Sequence, residues 1–414
     1  MESSVLTSDS EIFFAAVNCM NERLNIYWDN LYPKLGPNAQ FWIDIGRYLG
    51  KNRIINRHGT WASPWKTKIV PGFEMPNYNP NFKMTFEEVT YQKTLQIKKL
   101  INTTDSRIGV FYSGGIDSTV CLAALIQFLT AEELQKIDVC LSAESIIENP
   151  YFYEKFILNK LNVFDSAKTR YDYFQQNGHY AITSDQGDSI FGTELGTKLY
   201  YSYFSRLKNL SVTSRSHLIS ISEKISDPDT PYENYKDLLI NYFQLPQSPE
   251  FGEKFYNTLD ENIKSSLVPV ISLHDFFWWY IFNIKYMECA LRSTIYYTTA
   301  PDIEKSIKRT VINWFNDPNY QLWSMANNNN GTKIKGLSPA SYKFAARQFI
   351  YKLDKNEWYF RYKSKLSSLI NITQRNKDVF AQRTIFALDG FYNIHYQKSN
   401  DTVRFIENQL GSFN

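Results

Sequence analysis

Ten consecutive residues, Val110-Phe111-Tyr112-Ser113-Gly114-Gly115-Ile116-Asp117-Ser118-Thr119, concentrate the residue types that could do chemistry. Adjacent glycines reach backbone conformations closed to other residues, so their N–H groups can converge on an oxyanion. Ser113, Ser118 and Thr119 add hydroxyl donors, and a helix opening after Gly115 would aim the positive end of its dipole at the same anion. Asp117 opposes a polyanion unless a hard cation such as Mg²⁺ lies between carboxylate and phosphate oxygens. The segment therefore reads as a phosphate loop carrying a metal ligand. Rival loops fail, because the chain has no G-x-x-x-x-G-K-S/T, opens no strand–helix unit with G-x-G-x-x-G, and lacks a G-x-S-x-G elbow around Ser113. A plain glycine turn would leave Asp117, Ser118 and Thr119 unexplained.

Such a loop needs a strand before it and a helix after it. Arg107 to Tyr112 is a short apolar run suited to a buried strand, and Val120, Leu122 to Leu125, Phe128 and Leu129 continue as a helix. Upstream, Thr85 reads as an N-cap with Glu87 and Glu88 in the first turn, and Val89, Leu95, Ile97, Leu100 and Ile101 predict a helix over about 86–102. Further strands are expected at Ile137–Leu141 and Tyr180–Thr183, with helices near 151–161 and 167–176. This alternation predicts an α/β, doubly wound parallel sheet. Proline and glycine break every periodic stretch before about residue 81, and strand signals fade beyond Ser216, where long aromatic-rich helical stretches dominate. The expected division is an N-terminal segment 1–84, an α/β core 85–215 and a mainly helical part 216–414.

Composition excludes several classes. A chain of 414 residues can bury large cores, and 45 Lys and Arg against 42 Asp and Glu leave a net +3, too even for a protein that coats nucleic acid. The four cysteines, Cys19, Cys121, Cys140 and Cys289, are scattered without metal spacing, which predicts a reducing, cytoplasmic setting. The N-terminal residues show no basic and apolar leader pattern, and the aromatic run Phe276–Phe282 is far too short to span a membrane. It is expected to be a buried helix.

Ser113-Gly114-Gly115-Ile116-Asp117-Ser118 resembles the pyrophosphate-binding loop of the ATP pyrophosphatase (PP-loop) superfamily, whose members adenylate a carbonyl or carboxyl oxygen and release pyrophosphate. Two further stretches are similar to asparagine synthetases. Thr183 to Gly192 resembles their loop S-G-D/E-G-x-D-E-L/V-F-G, with Asp185 on the acidic position, Asp188 on the metal-side aspartate and Ile190-Phe191-Gly192 closing it. It departs from that pattern at Gln186 and Thr193, which replace glycines, and at Ser189, which replaces a glutamate and removes a negative charge near the metal. Trp358 to Ser367 resembles the stretch around the family's catalytic lysine. Lys363 matches best, and Lys343, Lys352, Lys355 and Lys365 are the other lysines to examine.

The resemblance covers about residues 86–370 and implies an ATP- and Mg²⁺-dependent ligase that forms an amide through an acyl adenylate. Ser113, Gly114, Gly115, Ile116, Asp117, Ser118 and Thr119, with Leu141 and Ser184, would hold ATP or pyrophosphate. Asp117 and Asp188 would hold the metal, Lys363 would stabilise the adenylation transition state, and Asp185 would orient or deprotonate the attacking nitrogen. The carboxylate substrate is expected to be a small molecule or a peptide. Because Glu2 stands where glutamine-using relatives have a nucleophilic cysteine, nitrogen is expected from ammonia, an amine or a separate amidotransferase subunit. Two rival readings are a non-catalytic ATP-binding partner subunit and a nucleotide- or tRNA-modifying enzyme of the same superfamily. The latter would call for a basic surface or a reactive cysteine.

Overall fold

The Thr85 hydroxyl accepts a hydrogen bond from the Glu88 N–H, and the Glu88 carboxylate accepts one from the Thr85 N–H, so the two residues cap a helix reciprocally. In the computed structural model, which describes residues 41, 44–45, 57, 73–166, 169, 171–192, 230–244, 250–286, 311–327 and 343–363, that helix is α1 (Phe86–Thr103). Of the predicted apolar face Val89, Ile97 and Ile101 are buried and Leu95 and Leu100 half-buried, while Phe86, Thr90, Lys93 and Thr94 share the buried side. The chain continues through β1 (Ile108–Phe111), α2 (Ile116–Phe128), β2 (Ile137–Leu141), α3 (Ala143–Glu148), β3 (Asn162–Asp165), α4 (Tyr171–Gln176), β4 (Tyr180–Thr183) and α5 (Gly187–Phe191). Later come α6 (Leu273–Tyr280), β5 (Val311–Asn313), α7 (Pro318–Ala326), α8 (Phe344–Asp354) and α9 (Glu357–Tyr362).

The strands form one all-parallel sheet in the order β3-β2-β1-β4-β5. From β1 it grows through β2 to β3, then resumes on the other side of β1 with β4 and β5. Parallel crossovers are right-handed, so this reversal sends the connecting helices to opposite faces. Packing agrees with that rule. Ile108, Val110, Ile137, Val139, Leu141 and Ile182 join the main core, whereas Cys140 and Ala181 meet Phe174 of α4 in a separate cluster. The α/β class and the parallel sheet are therefore as the sequence predicts.

Two strands were not expected. β3 is a four-residue edge strand, half exposed and polar at both ends, with no apolar run to announce it. The helix expected over 151–161 is instead a turn at Pro150–Phe152, a π-helical segment Tyr153–Ile157 and a reversal through Asn159 at φ 57°, which feeds the chain into β3. The second expected helix is described over Tyr171–Gln176, and residues 167, 168 and 170 of its expected start lie outside the described residues. β5 lies in the stretch read as helical, and its three residues become a strand by pairing with β4, where the Trp314 N–H also donates to the Thr183 carbonyl at 2.7 Å.

The aromatic run is a buried helix, as predicted. Phe276 to Tyr280 close α6, a π-helical segment carries Ile281 and Phe282 onward, and all seven side chains are at most 1% exposed. Each contributes roughly 1.5–3 kcal/mol of hydrophobic burial. The Trp278 indole N–H donates to Ser324 Oγ of α7 at 2.7 Å, and that hydroxyl donates to the Ile190 carbonyl of α5 at 2.5 Å. The aromatic core thus anchors the helix that follows β4. Among the described residues no helix is long and apolar enough to cross a membrane.

Candidate functional site

In an open parallel sheet, ligands bind beyond the carboxyl ends of the strands where the strand order reverses. Here that point lies between β1 and β4, and the two loops singled out by the sequence follow those strands.

The first loop has the backbone its glycines predict. Gly114 sits at φ +75°, and a Cβ there would lie 2.2 Å from the Ser145 carbonyl oxygen. Gly115 is the N-cap of the 13-residue α2 and brings no capping side chain, an arrangement in which an anion can serve as the cap. Hydroxyls brace the turn from within. The Ser113 N–H donates to Ser118 Oγ at 3.1 Å, while Ser118 Oγ and Thr119 Oγ1 donate to the Gly115 carbonyl at 3.1 and 2.8 Å. Ile116 and Leu141 turn their side chains into the core, so any part they play toward a nucleotide falls to their main chains.

The second loop places Ser184 at the end of β4, nearly buried, and Asp188 in the first turn of α5. Asp185 is half-buried rather than the buried residue its expected role suggested. Gln186 and Ser189, the two departures inside this turn, are fully buried, so neither faces a nucleotide from solvent. The loops approach closely at Gly187, where a Cβ would fall 2.2 Å from Asp117 Cγ.

Asp117 and Asp188 meet through Lys343, one of the lysines other than the best-matching Lys363. Lys343 Nζ lies 2.7 and 2.5 Å from the two Asp117 carboxylate oxygens and 2.8 Å from Asp188 Oδ1. Lys343 is 2% exposed and sits at φ 46°, immediately before α8. Burial alone would discharge the ammonium, but the two carboxylates outweigh it and hold its pKa above the ordinary lysine value. No motif surrounds Lys343 in the sequence. Its position depends on α8 packing against α2, a contact between residues more than two hundred apart.

Lys363 follows α9 and is 3% exposed, so it is not a surface charge. Its ammonium donates to Glu148 Oε1 at 2.8 Å. That same oxygen lies 3.7 Å from where a Gly115 Cβ would be, which brings the lysine to the rim of the phosphate loop. Tyr359 lies beside it: its ring is 5.7 Å from Lys363 Nζ, and its hydroxyl donates to Thr119 Oγ1 at 3.5 Å. Burial raises the Tyr359 hydroxyl pKa well above normal, keeping it neutral. Arg347, fully buried on α8, donates to the Phe360 carbonyl at 2.6 Å and ties α9 down. Glu148 carried no sequence signal. Ser364, Lys365 and Ser367 lie outside the described residues, whereas Lys352 pairs with Glu87 at an exposed position.

As a metal site, the donor set is partial. Among the described residues no group of three or more His, Cys, Asp or Glu side chains could hold an ion. Two carboxylates whose oxygens converge on one cation do suit Mg²⁺ when phosphates and water complete its shell, provided the Lys343 ammonium gives way. A cavity of about 640 Å³ bounded by Met84, Phe86, Trp323, Phe344 and Phe349 lies elsewhere and includes none of these residues. Comparison of the chain with protein-family models, with curated proteins and with solved structures finds no match.

Proposed function

We propose that this protein is an ATP-dependent, amide-forming ligase of the PP-loop type, resembling asparagine synthetases in their ATP-using chemistry. The observation that carries the reading is the meeting of the two loops at the sheet's switch point, with Asp117 and Asp188 sharing the Lys343 ammonium at 2.5–2.8 Å. Neither loop alone would single out this chemistry.

In this reading the main chain of Ser113–Ile116 and the hydroxyls of Ser113, Ser118 and Thr119 bind the phosphates at the N-terminus of α2. Asp117 and Asp188 hold a Mg²⁺ that, when bound, neutralises charge on the phosphate oxygens. A carboxylate oxygen attacks the α-phosphorus of ATP, the bond to the β-phosphate oxygen breaks, and pyrophosphate departs. Lys363 stabilises the negative charge that grows on the departing group, and Tyr359 fixes its approach. Ammonia or an amine then attacks the acyl carbon and expels AMP, with Asp185 as the group that orients it or takes its proton. The substrate class is a small-molecule or peptide carboxylate. The dispersed cysteines support a cytoplasmic setting; Cys121 and Cys140 are buried free thiols, and burial pushes both pKa values up.

A second reading, an ATP-binding partner subunit without turnover, draws on one observation. Ser189, where the resembling family has an acid, is completely buried. Pyrophosphate release from ATP, measured across panels of carboxylates and amines, separates the two. Carboxylate-dependent release supports the ligase, whereas nucleotide binding with no release under any pairing favours the subunit.

A further inference from the structure

We propose that Lys343 is a resident cation that guards the Asp117–Asp188 pair, so that a divalent cation enters efficiently only together with a nucleotide polyphosphate. The inference rests on the nucleotide-binding reading above and adds an order to it.

Two carboxylates brought together by separate loops repel each other unless a cation lies between them. Lys343 supplies that cation from within the chain, with contacts of 2.7 and 2.5 Å to Asp117 and 2.8 Å to Asp188. Its backbone is built for the purpose. A non-glycine residue at φ 46° holds a left-handed backbone that L side chains rarely adopt, and it persists where the surroundings hold it. Here the left-handed residue turns the chain into α8 while its side chain reaches the carboxylates. Both aspartates are one-fifth exposed, whereas the lysine is 2% exposed, so solvent reaches the pair while the ammonium stays sealed.

That difference sets the order. A divalent ion arriving alone would take both carboxylates and strand a buried ammonium, and leaving a buried charge uncompensated is strongly destabilising. A polyphosphate removes the difficulty in two ways. Its oxygens complete the coordination of the divalent ion, and they offer the displaced Lys343 ammonium a new anion at the same loop. Metal and nucleotide should therefore bind with positive coupling, and Lys343 should be its source.

The test is a titration of the full chain with Mn²⁺, following free Mn²⁺ by its paramagnetic resonance, with and without α,β-methylene-ATP. The parent should bind Mn²⁺ about tenfold or more tightly with the analogue than without it, within the usual range for coupled sites. Lys343→Met should bind Mn²⁺ roughly tenfold more tightly than the parent without nucleotide, and most of the coupling should vanish. Lys343→Gln serves if the methionine variant does not fold. Equal parental affinity with and without the analogue overturns the proposal, as does a folded variant with parental nucleotide-free affinity. If calorimetry shows that the analogue itself does not bind, the ATP reading fails. The nucleotide-free comparison then still reports whether Lys343 guards the carboxylates.

Discussion

Gly187 has no side chain in the place that Asp117 occupies: a Cβ on this glycine would lie 2.2 Å from Asp117 Cγ and from Oδ1. The residues come from different loops, seventy positions apart, and their close approach lets Asp117 and Asp188 share one cation.

Gly187→Ala should push the Asp117 carboxylate off Lys343. Overpacking a filled site costs roughly 1–3 kcal/mol, and the variant should lose that much stability in urea unfolding. It should also lose most nucleotide-dependent pyrophosphate release. Parental values for both would mean that the two loops do not depend on this contact.

Lys363→Ala should lower kcat far more than it raises KM for ATP, by about 10²–10³-fold if the lysine acts as an oxyanion-stabilising donor. Glu148→Gln keeps an acceptor for Lys363 but removes a negative charge beside Gly115. It should lower KM for ATP by roughly two- to tenfold. Steady-state kinetics on both variants decides the matter, and a Lys363→Ala kcat within twofold of the parent removes Lys363 from the mechanism.

Ser324→Ala deletes the hydroxyl that joins Trp278 to the Ile190 carbonyl and removes one hydrogen bond from each of these buried groups. The cost should be about 1–3 kcal/mol, as two buried hydrogen bonds are lost. Because Ile190 lies in α5 with Asp188, the variant should also weaken nucleotide binding by calorimetry. A change below about 0.5 kcal/mol would show that the link is not structural.

Burial pushes the Asp354 carboxyl up to about 6, against the opposing pull of the Asn356 N–H, Lys155 and Lys355. A folded-state value above the unfolded one means that folding favours the protonated form. Its contribution is full below about pH 4 and is lost as pH rises through about 6. Asp354→Asn should flatten the stability profile across this window by about 1–2 kcal/mol after allowance for solvent screening. Urea unfolding at pH 4 and pH 7 measures it, and an unchanged slope would place the titration elsewhere.

Local patterns in the sequence were enough to determine α1 and its cap, strands β1, β2 and β4, the phosphate-loop turn and the burial of Phe276–Phe282. Each is written in contiguous residues: a capping pair three apart, a short apolar run, adjacent glycines, an unbroken aromatic stretch. β3 and β5 carry no such signature, since edge strands of three or four residues are made by the neighbour that pairs with them. Ser184, Asp185 and Asp188 could be nominated from one loop and Asp117 from another, but that they converge depends on the strand order. Lys343 and Glu148 were decided by tertiary structure alone, because a charge becomes chemically meaningful only when packing removes water and brings an opposite charge within 3 Å. Lys363 lay between these cases, readable as a candidate but defined by Glu148 and Tyr359, partners whose closeness to it follows from folding.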